Sequence, residues 1–150
     1  MPADSLLPTA VRGLIRVSRL IESATGDLSV ADWRVLSIIE RGEGSPSRVA
    51  DRLLLSRPTI SATLDSLAKR GLIERTTLPD DARAVSISLS ADGVELLGRA
   101  EVRMSRQLEL LCDRTADASR VVAALALLDD AIEAAVTERI ERSGSTPRPA

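Results

Sequence analysis

Three features of the sequence point to a mainly α-helical chain with one small β-hairpin. Apolar residues make up 44% of the 150 residues and are nearly all Leu, Ile, Val and Ala; Trp33 is the single aromatic. Leu and Ala favour helices, and the aromatic residues on which large sheets draw are almost absent. Second, apolar positions recur at helical spacing through most of the chain. Third, strict apolar–polar alternation is confined to residues 84 to 89, as a half-buried strand requires. A chain of this length forms one domain and buries a core without staples.

The elements follow in order. From about Leu6 to Glu22, apolar residues fall at Leu7, Val11, Leu14, Ile15 and Ile21, with Arg12, Arg16 and Arg19 on another face. Ser29 suits an N-cap, and Asp32 favours the N-terminus of the helix that Val30, Trp33, Leu36, Ile38 and Ile39 would bury. That helix ends at Arg41-Gly42-Glu43-Gly44. Ser45 before Pro46 reads as the cap of a short helix to about Leu54, burying Val49, Leu53 and Ala50. Ser56 starts the next helix with Pro58 near its start, Ile60, Leu64 and Leu67 as its inner stripe and Gly71 at its end.

Leu72 to Thr77 reads as a strand, followed by a turn from Leu78 to Arg83. Val85, Ile87 and Leu89 then form the buried side of a second strand. Ser90 caps a helix running towards Arg114, and a last helix spans roughly Ala118 to Arg142. The tail Ser-Gly-Ser-Thr-Pro-Arg-Pro-Ala at 143–150 is expected to be disordered.

The charge narrows the function classes. The net charge is −2, yet residues 45–90 carry seven basic against five acidic residues, while both flanks are acidic. Phosphate contacts are therefore expected in the middle of the chain. One cysteine and no histidine leave neither a disulfide framework nor a nitrogen–sulfur zinc site within one chain. No metal or cofactor is expected. No apolar run approaches a membrane span and no signal-peptide layout opens the chain, so a cytoplasmic protein is expected. An enzyme lacking histidine would need converging carboxylates. Asp80-Asp81 and Asp129-Asp130 are merely adjacent, and neighbours do not share a helix face, so no enzyme is expected.

A short helix, a tight turn at Leu54-Leu55-Ser56, a second helix and then a hairpin form the winged helix-turn-helix order. Reading DNA needs small polar groups on a rigidly docked helix and cations nearby for phosphates. With Ile60 pointing inward, Pro58, Ala62, Asp65 and Lys69 point outward, flanked by Thr59, Ser61 and Ser66. Arg57 at the helix start can reach a guanine edge or a phosphate, and Lys69 and Arg70 suit the backbone. Arg75 would meet a phosphate from the first strand. Arg83 near the wing tip could enter the minor groove, with Asp81 holding it. The rival reading is a winged helix used for protein contact, supported by Asp65 in the middle of the outward face.

The run Asp81-Ala82-Arg83, five residues, Leu89-Ser90-Ala91-Asp92-Gly93 resembles the wing signature of MarR-type (multiple antibiotic resistance) regulators, with serine in place of threonine at 90. Leu28-Ser29, Val49-Ala50-Asp51-Arg52-Leu53 and Leu67-Ala68-Lys69-Arg70-Gly71-Leu72-Ile73 resemble the same pattern. The resemblance implies a DNA-binding transcriptional repressor acting as a homodimer on double-stranded DNA, at a palindromic operator. In the expected division of the 1–150 domain, residues 28–90 form the DNA-binding part. Residues 5–25 and 91–142 form a helical dimerisation part. Ala62 and Ala82 stand where many relatives carry a basic residue, so base recognition would fall on Arg57, Thr59 and Ser61.

The resemblance also raises a small-molecule effector of anionic or aromatic kind, for which Arg16 and Trp33 are the candidate residues. A ligand-free binder is the alternative, and Trp33 at helical spacing reads first as core. Cys112 lies in the last helical turn beside Asp113, with no cationic neighbour in sequence but Arg114, and is expected to be a structural residue rather than a redox one.

Overall fold

A computed structural model of the chain describes the backbone of residues 3–78 and 81–144, and the side chains of residues 6–77 and 85–142. Its elements are α1 (Ala3–Glu22), α2 (Val30–Glu40), α3 (Pro46–Leu53), α4 (Arg57–Lys69), β1 (Ile73–Leu78), β2 (Asp81–Leu89), α5 (Ala91–Cys112) and α6 (Ala118–Gly144). The mainly helical fold with one antiparallel hairpin is thus as the sequence predicts. The expected tail lies almost wholly outside the described residues.

Local chemistry sets the helix starts. Ser29 accepts from the Asp32 amide at 3.0 Å, Ser56 from Thr59 at 3.3 Å and Ser90 from Gly93 at 3.0 Å. Each satisfies one of the amides a helix N-terminus leaves open. Ser45 departs from expectation: it makes no side-chain cap, because its hydroxyl bonds Ser47 Oγ at 2.8 Å instead. Asp117, not anticipated as a cap, accepts from the Arg120 amide at 2.9 Å and starts α6. That bond, followed by one from Ser119, holds its carboxyl below the ordinary aspartate value.

One core joins α2, α3, α4, the hairpin and the start of α5. Val35, Leu36, Val49, Ile60, Leu64, Leu67 and Leu97 are its most completely buried large side chains. Partly buried Trp33 packs against this cluster, as core rather than as an exposed platform. Its Nε1, buried and without a hydrogen-bond partner, is a local cost of that placement. Leu53, at the end of α3, is only partly buried; on β2 Leu89 is partly buried and Val85 exposed, because the hairpin runs past the edge of the core. Cys112 is buried, 4% exposed.

The turn between α3 and α4 is sharp because Leu54 takes a left-handed conformation, φ 54°, one that costs a non-glycine residue strain. Its amide and that of Leu55 bond back to the end of α3. In the hairpin, Ile73 pairs with Leu89, Arg75 with Ile87 and Thr77 with Val85, whereas Leu78 pairs with Asp81. Asp81 to Arg83, expected in a turn, thus belong to β2. The longer strand absorbs its surplus residues as an irregularity next to Thr77 and keeps the inward alternation beyond it. Pro79 and Asp80 lie outside the described residues.

Three contacts fix neighbouring parts to this frame. The Gly44 carbonyl accepts from the Ile87 amide at 2.7 Å, extending the hairpin's hydrogen bonding to the loop before α3. Ser90 Oγ donates to the Gly71 carbonyl at 2.6 Å, tying the end of α4 to the start of α5. Arg103 on α5 donates to the carbonyls of Ala24 and Thr25, holding the chain after α1. No helix among the described residues is long and apolar enough to cross a membrane.

Candidate nucleic-acid interface

Helix α4 is docked by Ile60, Leu64 and Leu67, all essentially inaccessible. Its other side presents Arg57, Pro58, Thr59, Ser61, Ala62, Asp65 and Lys69, every one exposed. The structure therefore brings the expected helix residues to one surface, and a rigid apolar inner face holds that surface in place. Thr59 Oγ1 lies 2.7 Å from Ser56 Oγ, so the cap also orients a candidate DNA-contacting hydroxyl.

Ion pairing divides the cations around this surface. Arg70 donates to Asp32 at 2.7 Å, locking the end of α4 to α2 instead of facing outward for a phosphate as the sequence suggests. Arg48 and Arg52 both meet Glu43, and Arg52 also reaches Glu133 of α6 at 2.9 Å. Arg75, expected to be available to a phosphate, donates to Asp65 at 2.7 Å. Arg57 and Lys69 have no ion pair among the described residues and sit at opposite ends of α4. These pairings have no local signature: the partners are five to 81 residues apart in sequence, and every pair joins different elements or a loop to a helix.

The backbone of β2 carries Asp81 and Arg83 at the end of the hairpin remote from Leu89, but their side chains lie outside the described residues. Arg16 borders a shallow depression with Val17, Leu20 and Leu111 that Trp33 does not border. The two candidate effector residues are thus not brought into that one cavity. Among the described residues, no group of three or more His, Cys, Asp or Glu is arranged to hold a metal ion.

A short helix, a tight turn, a docked helix with a polar outer face and an adjoining hairpin define a winged helix-turn-helix protein. Residues 26–84 match the model of the MarR family. The HTH-type transcriptional regulator PapX of Escherichia coli is 30% identical over 113 residues, covering 69% of either chain. The chain belongs to the MarR family of helix-turn-helix transcriptional regulators. Among solved structures, the transcriptional repressor CouR bound to a 23-mer DNA duplex is 27% identical, with a TM-score of 0.70. The match covers 85% of this chain and 93% of that one. Wild-type MarR from Escherichia coli in its apo form, 22% identical, shares the fold with a TM-score of 0.65, over 87% of this chain and 97% of that one.

Proposed function

We propose that the protein binds double-stranded DNA through α4 and the hairpin wing, and represses transcription as a homodimer on a palindromic operator. The observation that carries this is the α4 surface. Exposed hydroxyls and two cations without ion pairs stand on a helix whose inner face is wholly buried. Arg57, Thr59 and Ser61 face base edges and nearby phosphates, and Lys69 grips the backbone. Arg83 enters the minor groove with Asp81 as its orienting partner. Asp65, the main support for a protein-contact module, is charge-balanced by Arg75 and does not favour that rival.

The division into a DNA-binding part and a dimerisation part rests on exposed apolar surface. Leu7, Val11, Leu14 and Ile15 of α1 are each more than half exposed, as are Leu128 and Ile132 of α6. An apolar groove of about 640 Å³ runs between α1, α5 and α6, bordered by Leu7, Val11, Leu14, Leu108, Leu125 and Leu128. Patches of this kind mark association surfaces, and a second copy of the chain supplies matching faces by two-fold symmetry.

The test is fluorescence anisotropy with a labelled duplex covering the region upstream of the protein's own gene, at several salt concentrations. The expected result is saturable binding that weakens with salt, further weakened by Arg57→Ala and by Arg83→Ala. Absence of binding at low salt sinks the reading.

A further inference from the structure

Asp65 sits in the middle of the α4 surface that faces outward, where a carboxylate opposes DNA phosphates. Its Oδ1 accepts from Arg75 Nη2 at 2.7 Å. The strand geometry explains how the two meet. Arg75 is opposite Ile87 and two residues on from Ile73, so it shares the inward face of the hairpin with two buried side chains. Past the edge of the core, that face brings the guanidinium alongside α4. Arg48, Arg52 and Arg70 are also paired, but with Glu43, Glu133 and Asp32, none of them on the α4 face. Only the Asp65–Arg75 pair, among those described, puts its acidic partner on the surface assigned to DNA.

Sequence-independent affinity comes from cations that neutralise phosphates and release counterions. A guanidinium already balanced by a carboxylate contributes little to that term. A small non-specific term, in turn, raises the ratio by which an operator outcompetes other DNA. We propose that Asp65 is a specificity-determining residue: by holding Arg75 on the protein's own carboxylate, it keeps that cation off the phosphates of non-operator DNA. The proposal rests on the DNA-binding reading above.

The experiment is a salt titration of the full chain on a mixed-sequence duplex without a palindrome. Asp65→Asn keeps the side chain's size and frees Arg75. The slope of log affinity on log salt should steepen by about 0.9 per bound protomer, and non-specific affinity should rise about tenfold near 0.1 M salt. Arg75→Gln alone should leave the slope of the parent unchanged. The double variant Asp65→Asn/Arg75→Gln should return to the parent's slope. An unchanged slope in Asp65→Asn overturns the proposal. So does a shallower slope in Arg75→Gln, which would place Arg75 on a phosphate already. Equal strengthening by Asp65→Asn with and without Arg75 also overturns it, since the effect would then be direct repulsion. A parent that binds no duplex at low salt overturns the underlying DNA reading instead, an outcome distinct from binding with an unaltered slope.

Discussion

The α-carbon of Gly93, in the first turn of α5, rests against the carbonyl of Leu72, where the chain leaves α4 for the hairpin. A β-carbon at position 93 would overlap the Leu72 carbonyl oxygen. The contact lies beside the Ser90 cap and the Ser90–Gly71 bond, so recognition helix, wing and α5 meet at one tightly packed point. Gly93→Ala must move backbone, not a flexible side chain. It should cost about 2 kcal/mol, as overpacking a close contact does, read as a lower urea midpoint with unchanged slope.

Ser56 both caps α4 and holds the Thr59 hydroxyl. Ser56→Ala should lower stability by about 1 kcal/mol. It should also weaken operator binding more than binding to non-operator DNA, because Thr59 loses its fixed orientation. Parallel urea and anisotropy titrations check both effects.

Leu14 is 53% exposed and borders the groove between α1, α5 and α6. Leu14→Asp would bury an unpaired charge if a partner covers that groove. Sedimentation equilibrium should show the variant as a monomer and the parent as a dimer, with circular dichroism of the two nearly alike. Operator affinity should fall along with dimerisation.

Glu101 of α5 has its carboxyl raised above the ordinary value, first by burial and then by the neighbouring Glu40 of α2, with Arg41 partly offsetting both. The folded state therefore holds this proton more tightly than the unfolded state does. The stability that goes with the proton is present below the unfolded value and lost as pH rises through the raised folded value. Glu101→Gln should accordingly stabilise the protein at pH 7, with the gain shrinking as pH falls through that window. Urea midpoints at neutral and acidic pH check the sign, and a gain that grows on acidification contradicts it.

Short-range chemistry carried most of what was legible in the sequence. Ser29, Ser56 and Ser90 announce helix starts because a cap hydroxyl bonds an amide only a few residues on, and Ile60, Leu64 and Leu67 announce the buried side of α4 by spacing alone. Ser45 misled, since the same hydroxyl found Ser47 first. The outward set from Arg57 to Lys69 was also legible, because one inward residue orients a whole helix. The fate of the nearby arginines was not. Arg70 and Arg75 look free for phosphates until tertiary structure brings Asp32 and Asp65 to them. Gly93 could be read as part of a signature, but its reason, the Leu72 carbonyl, exists only once the hairpin folds back.

Selection from a randomised pool of duplexes probes palindromic operator binding without assuming an operator. A homodimer should enrich a palindrome whose half-sites lie about one helical turn, ~34 Å, apart. Arg57→Ala should relax preference at particular base pairs in both halves. No enriched sequence, or a single half-site bound by one protomer, would overturn dimeric operator recognition.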